Sequence, residues 1–227
     1  MYKIETHMHT KYSSSCGHQD EKELVGSYLA AGYSAGAVTD HYNRYNILDK
    51  DGPCEDFMKR FLEGYYRVKE EGERQGLKVY KGAEIRFDGD DSDFLLYDFH
   101  DELLKDPYSF FPMGLEAFSK LYRADGALLI QAHPYRTGCR IADHRFLDGV
   151  EVLNMNPDHL HHNDNHKTLA YAQRWPELIR TSGSDCHQTH HLGRGGIVAE
   201  WLPKDDHEFA QLLRSKNFEL IGSFDSK

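Results

Sequence analysis

With 227 residues, 39% of them hydrophobic, the chain is long enough to bury a sizeable core and has the size of one α/β barrel domain. The formal charge of −10 argues against a broad basic footprint for duplex nucleic acid. Two or three divalent cations in one cleft would add about +4 to +6 locally, so an acidic chain can still offer a positive pocket to a phosphate. No apolar run reaches membrane-span length, and Met1 to Glu5 read as neither a signal nor a transit peptide. Cys16, Cys54, Cys139 and Cys186 have neither C-x-x-C spacing nor disulfide-scaffold density, which excludes a zinc ribbon and predicts reduced thiols in a cytoplasmic protein.

Residues 2–6 read as a strand, and continuing its period of two places His7 and His9 on one face at its end, roughly 7 Å apart at the Cα atoms. The pair alone is weak evidence, because 15 histidines in 227 residues give about one His-x-His by chance, and His159-x-His161 is a second. After the loop Ser13-Ser14-Ser15-Cys16-Gly17, Asp20 and Glu23 form a capping box for a helix carrying Leu24, Val25, Tyr28 and Leu29, ending at Gly32. Residues 35–39 read as a strand with Asp40-His41 at its end. A longer helix follows with Phe57, Phe61, Leu62, Tyr65 and Val68 on one face and Gly76 beyond it. Residues 78–80 lead into Gly82-Ala83-Glu84, and 93–97 form a further strand. Residues 127–131 precede His133, 149–153 precede Asn154, and 178–181 precede Asp185 and His187.

The repeated event is a short apolar strand whose C-terminal end delivers a His, Asp or Glu. A parallel β/α barrel builds an active site in this way, with side chains from separate strands meeting at one mouth, and the periodicity allows six to eight strands. Imidazoles mixed with carboxylates suit zinc, manganese or iron rather than magnesium or calcium. Glu84, with two oxygens and a position between the histidine clusters, is the candidate to bridge two ions; a water they share would supply hydroxide at neutral pH.

These motifs, His7-Met8-His9-Thr10 with its serine-rich loop, Thr39-Asp40-His41, Gly82-Ala83-Glu84, Ala132-His133-Pro134 and Ser182-Gly183-Ser184-Asp185-Cys186-His187, occur in the order seen in the PHP (polymerase and histidinol phosphatase) family. The resemblance runs from residue 2 to about residue 197. It implies a distorted (β/α)7 barrel with the metal site at the C-terminal strand ends, in a single catalytic domain over residues 1–227, and a metal-dependent phosphoesterase with two or three divalent ions. By position His7, His9, Glu84 and Asp185 resemble ligands of one ion, Glu84 and His133 serve a second, and His41 with His187 would hold a third. Glu84 and Asp185 would also position the hydroxide. Many members place an Asp or His five or six residues after the second histidine of the first motif; here Ser14 and Ser15 stand there and His18 is the nearest substitute. The family's histidine after the mid-chain strand has only His100 and Asp101 near its place.

Arg136, Arg194 and Arg86 follow the motifs and are candidate phosphate clamps. Residues 158–166 read as a solvated loop and helix start, and Cys186 as a small packed side chain rather than a nucleophile. The compact length favours a small phosphorylated metabolite, a nucleotide or a strand end as substrate, with no membrane partner. An amidohydrolase-like enzyme acting on an amide, ester or lactone would use a similar ligand set, with Lys81 as the nearest lysine for a carbamylated bridge. A metal-binding domain without catalysis is the third reading.

Overall fold

The structure, a computed structural model, describes residues 1–50, 56–160 and 162–224; Cys54 and His161 lie outside them. The elements in chain order are β1 (Tyr2–Met8), α1 (Glu21–Ala30), β2 (Tyr33–Val38), β3 (His41–Tyr42), α2 (Phe57–Phe61), α3 (Glu63–Gln75), β4 (Lys78–Ile85), β5 (Phe94–Tyr97), α4 (Pro107–Phe110), α5 (Leu115–Asp125), β6 (Leu128–Gln131), β7 (Gly149–Asn154), α6 (Asn165–Arg174), β8 (Ile179–Gly183), β9 (Gly196–Ala199), α7 (Asp206–Ser215) and β10 (Phe218–Ile221).

The sheet runs β10-β9-β1-β2-β4-β5-β6-β7-β8, nine strands in hydrogen-bonded order, with β3 paired to β4. A parallel bridge between Met8 and Cys186 joins the β1 end to the segment after β8, so the sheet nearly closes. The expected α/β barrel is therefore what the chain forms, and its distortion has two sources. β5 runs antiparallel to both β4 and β6, and β9 and β10 add an antiparallel pair beyond β1.

The capping box is present: the Asp20 carboxylate accepts from the backbone N–H of Lys22 and Glu23, and the Glu23 side chain accepts from that of Asp20. The helix expected to span Phe57 to Val68 is broken at Leu62. The cause is Ser13, whose hydroxyl donates to the Arg60 carbonyl and accepts from the Gly64 N–H, entering the i→i−4 ladder. Gly76, in the left-handed region at φ 96°, ends α3 as expected.

Two apolar clusters hold the layers. One joins the sheet to α1, α3, α5 and α6 through Val25, Tyr28, Val68, Phe118 and Ala172. The other gathers Ile4, Ala37, Tyr97 and Ile130 with α7, where Phe209 stacks on Tyr80 at 4.5 Å between ring centroids and meets Tyr97 edge-on. No helix among the described residues is long and apolar enough to cross a membrane.

Candidate metal centre

Each strand end delivers one or two polar side chains to the same place. β1 brings His7 and, one residue beyond it, His9; β3 starts with His41; β4 carries Glu84; the turns after β6 and β8 carry His133, Asp185 and His187. His7 and His9 are fully buried, and their Nε2 atoms stand 3.1 Å apart. Two further residues are held in backbone conformations that side chains rarely adopt, His133 at φ 28° and Asp185 at φ 47°. Such strain persists only where the surroundings enforce it, and it concentrates at functional sites.

Glu84 lies at the centre. Its Oε1 is 3.1 Å from His133 Nε2 and 3.4 Å from His7 Nε2, while Oε2 is 2.8 Å from His41 Nδ1 and 3.3 Å from His9 Nε2. Asp185 Oδ1 faces His7, His9 and His187 at 3.5, 3.4 and 3.1 Å. Its Oδ2 accepts from Arg136 at 2.5 Å and from Asn154 Nδ2 at 3.2 Å. Every side chain predicted as a principal ligand is thus in one cluster.

The carboxylates and the basic side chains of the cluster compensate one another's charge. Burial alone would push the Glu84 and Asp185 carboxyls up, yet the charges of His41 and His7 on the first, and of Arg136, His7 and His187 on the second, hold both well below the usual carboxylate range. Burial opposes charge on the imidazoles as well. For His41 the facing Glu84 wins and its pKa is well above ordinary; for His187 Asp185 raises it to about 9. His9 goes the other way, to about 3, through burial and the neighbouring charge of His41. Burial would raise the Cys16 thiol, but His41 and His187 bring it down to about 7.

The donor set fits divalent metal. Glu84 Oε2, His41 Nδ1 and His187 Nε2 are buried and make no hydrogen bond, although each nitrogen stands within ion-pair distance of a carboxylate. Their distances suit a hydrogen bond and their directions do not, as befits groups arranged around a shared ion. His7, His9 and Asp185 form one group whose candidate ligand atoms lie within 4.8 Å of one another; His41, Glu84 and Asp93 form a second, and His9, Cys16, His41 and His187 a third.

Supporting contacts orient these groups. Glu151, fully buried on β7, accepts from His7 Nδ1 at 2.9 Å, from the His133 N–H at 3.1 Å and from Asn154 Nδ2 at 2.9 Å. The first contact holds a proton on His7 Nδ1, so Nε2 is the ring nitrogen that would give up its proton to bind an ion. Glu5 clamps two strand ends, accepting from the N–H of Thr6, His7 and Ser184 and from the Tyr28 hydroxyl, and burial lifts its carboxyl to about 7. Asp40 receives the Thr10 N–H and the Thr10 and Ser14 hydroxyls. Gly183 must be glycine: a Cβ there would come 2.5 Å from His7 Cβ and 2.6 Å from Glu151 Oε1.

Other predicted residues are elsewhere. His100 is exposed and pairs with Asp125. His18 is also exposed, lining a cleft of about 410 Å³ with Gln19, Gln188 and His190, and only its backbone reaches the site, donating to the His187 carbonyl. Arg194 is exposed and donates to the His190 carbonyl. Arg136 is committed to Asp185, Asn154 and Asn163. Arg86 is paired with Asp93 and, with His41, Arg44 and Asn46, lines an open cleft of about 420 Å³ beside the cluster. Lys81 is ion-paired with Asp101 and, three residues before Glu84, lies on the opposite face of β4. Glu151, Asp93, Asp40 and Cys16 were not read as site residues from the sequence. A Glu inside the apolar run Gly149-Val150-Glu151-Val152-Leu153 is the signal that could have revealed the first.

The PHP domain family model matches residues 5–225. The chain belongs to the PHP family. No curated protein matches its sequence. Among solved structures, it is similar to a two-domain Bacteroides vulgatus protein described as containing a predicted PHP-like metal-dependent phosphoesterase, with 15% identity and a TM-score of 0.69 over 97% of this chain. The chain spans 64% of that protein's length. It is similar to the lesion-specific endonuclease PfuEndoQ of Pyrococcus furiosus at 13% identity and TM-score 0.61, covering 96% of this chain and 57% of that one. An amidohydrolase from Chromobacterium violaceum, with bound sulfate and no metal, matches at 15% identity and TM-score 0.57, covering 97% and 98% of the two chains.

Proposed function

We propose that this PHP protein is a cytoplasmic phosphoesterase, with residues 1–227 forming one catalytic domain, that hydrolyses a phosphate ester of a small metabolite, a nucleotide or a strand end. The observation that carries the reading is Glu84, each of whose oxygens faces a different pair of imidazoles while Asp185 gathers three more contacts. Such a carboxylate suits two ions held side by side. His7, His9, Glu84, His133, Asp185, His41 and His187 would hold two or three ions of the zinc, manganese or iron type. When bound, divalent ions lower the pKa of water and offset charge on an attacked phosphoryl group.

The protein's own groups then have separate tasks. Glu151 and Arg136 hold His7 and Asp185 in register, and the buried cluster gives them a fixed geometry. The cleft beside His41 would admit the ester; Arg44 and Arg86 at its wall are each paired with a carboxylate, Asp88 and Asp93, so the bound ions would supply the positive charge for the phosphate. The amidohydrolase-like reading receives less support, because Lys81, the nearest lysine for a carbamylated bridge, is held by Asp101 on the other face of β4. The test is phosphate release from a panel of phosphomonoesters and nucleotides by protein stripped of metal and reloaded separately with manganese, zinc and iron. Release restored by metal supports the reading. Stoichiometric metal with no phosphate released from any ester contradicts it.

A further inference from the structure

The loop between β1 and α1 has no Asp or His at the positions after His9 where such a ligand is expected, and the structure explains what stands in its place. The Ser14 hydroxyl is already engaged, donating to Asp40, accepting from the His41 N–H at 2.8 Å and meeting His9 Nδ1 at 3.1 Å. Ser15 is exposed, with its N–H held by Asn46. Cys16 is the side chain that turns inward, and its sulfur, His41 and His187 present ligand atoms within 4.8 Å of one another, beside His9.

The loop is fixed from both sides. The His18 N–H donates to the His187 carbonyl and the Ser14 N–H to the Thr10 carbonyl, while a Cβ on Gly17 would come 2.2 Å from the Thr10 oxygen. Cys16 therefore has a defined position between β3 and the turn after β8. His41 Nδ1 and His187 Nε2, buried and without hydrogen bonds, give a second observation that points to an ion at this place.

We propose that Cys16 is a metal ligand, completing with His41 and His187 a sulfur-containing site beside the one centred on Glu84. The inference rests on the reading that the cluster holds metal and adds which side chain serves the ion nearest the loop. A thiolate and two imidazoles leave a tetrahedral zinc-type ion one open position, and they favour zinc, iron or cobalt over manganese and magnesium, which prefer oxygen. The thiolate also removes one unit of positive charge from a site that already gathers several imidazoles.

The test is optical and independent of turnover. Metal-free protein is titrated with cobalt(II), and thiolate-to-cobalt charge-transfer absorption in the near ultraviolet is read together with the visible ligand-field bands. Native protein shows both. Cys16→Ser loses the near-ultraviolet band and keeps visible bands from cobalt on the histidine and carboxylate donors. Cys139→Ser, which removes the thiol 3.9 Å from His133 Nδ1, keeps both. Zinc affinity of this site falls roughly 10-fold or more in Cys16→Ser, at least the loss caused by removing an outer-shell partner, and manganese affinity changes less. A near-ultraviolet band undiminished in Cys16→Ser, or absent from native protein that shows the visible bands, overturns the thiolate ligand and leaves the metal centre standing. Absence of both bands overturns the metal centre as well.

Discussion

Replacing Glu151 with glutamine changes no volume and removes one acceptor from the interior. In the native chain both oxygens are used: Oε1 accepts from His7 Nδ1, and Oε2 accepts from the His133 N–H and Asn154 Nδ2. The amide keeps most of these bonds by placing its carbonyl at the Oε2 position, which turns its NH2 toward His7. When His7 loses a proton to bind an ion, Nδ1 must then accept, so the remaining proton stays on Nε2, the atom that faces His9, Glu84 and Asp185. A protonated Nε2 cannot ligate. The variant is therefore expected to fold, with a stability loss of about 1 kcal/mol from one weakened buried hydrogen bond, and to lose roughly 10- to 100-fold in metal affinity, or about 1.4–2.7 kcal/mol. The assay is zinc titration of metal-free protein against a chromophoric chelator, with urea unfolding of the same samples to separate folding from binding. A folded Glu151→Gln protein that binds zinc as tightly as the native one would refute the tautomer argument.

Arg136→Met removes the arginine facing the buried Asp185 carboxylate and leaves only its imidazole neighbours, so metal-free protein should lose about 3 kcal/mol of stability, the low end of the range for breaking a buried pair, as read by urea unfolding. Saturating zinc should recover much of that loss, since the ion would compensate the same charge. The His187 pKa, raised by Asp185 from 6.5 to about 9, predicts a pH effect on metal-free protein. A raised folded pKa gives stability that is fully present below pH 6.5 and disappears as pH climbs through about 9; the Cys16 thiol, lowered from 9 to about 7, shifts stability the opposite way, so the thermal midpoint should fall across that window in Cys16→Ser protein, where this offset is removed. A flat midpoint would remove His187 from the account. Gly183→Ala forces a Cβ against His7 and Glu151 and should cost about 1–3 kcal/mol in urea unfolding, with weaker zinc binding.

The barrel was legible because the strands that carry the site are short and ended by a chemically distinctive residue, as in residues 35–39 before Asp40-His41. What escaped was structure set by distant partners. The break at Leu62 depends on Ser13, 49 positions earlier, entering the helix ladder. The four-residue strands β9 and β10 are too brief for a period to declare itself. The reversal of β5 leaves no mark in its composition, because side chains alternate identically in parallel and antiparallel strands. In the site, the principal ligands were named because they end strands in recognisable motifs. Glu151 and Cys16 were passed over because one sits within an apolar strand and the other in a loop of small polar residues, where only the folded chain shows what they face. His100 and His18 drew notice by proximity in sequence, and the structure turns both toward solvent.

The most direct test of the central claim is Glu84→Gln, assayed for bound metal and for phosphate release in the same preparation. With its oxygens shared between the His7–His133 and His9–His41 pairs, Glu84 cannot be altered without disturbing both halves of the centre. The account predicts a folded variant with at least one ion fewer than native protein and nearly all hydrolysis lost. Native metal content with native turnover in Glu84→Gln would contradict it.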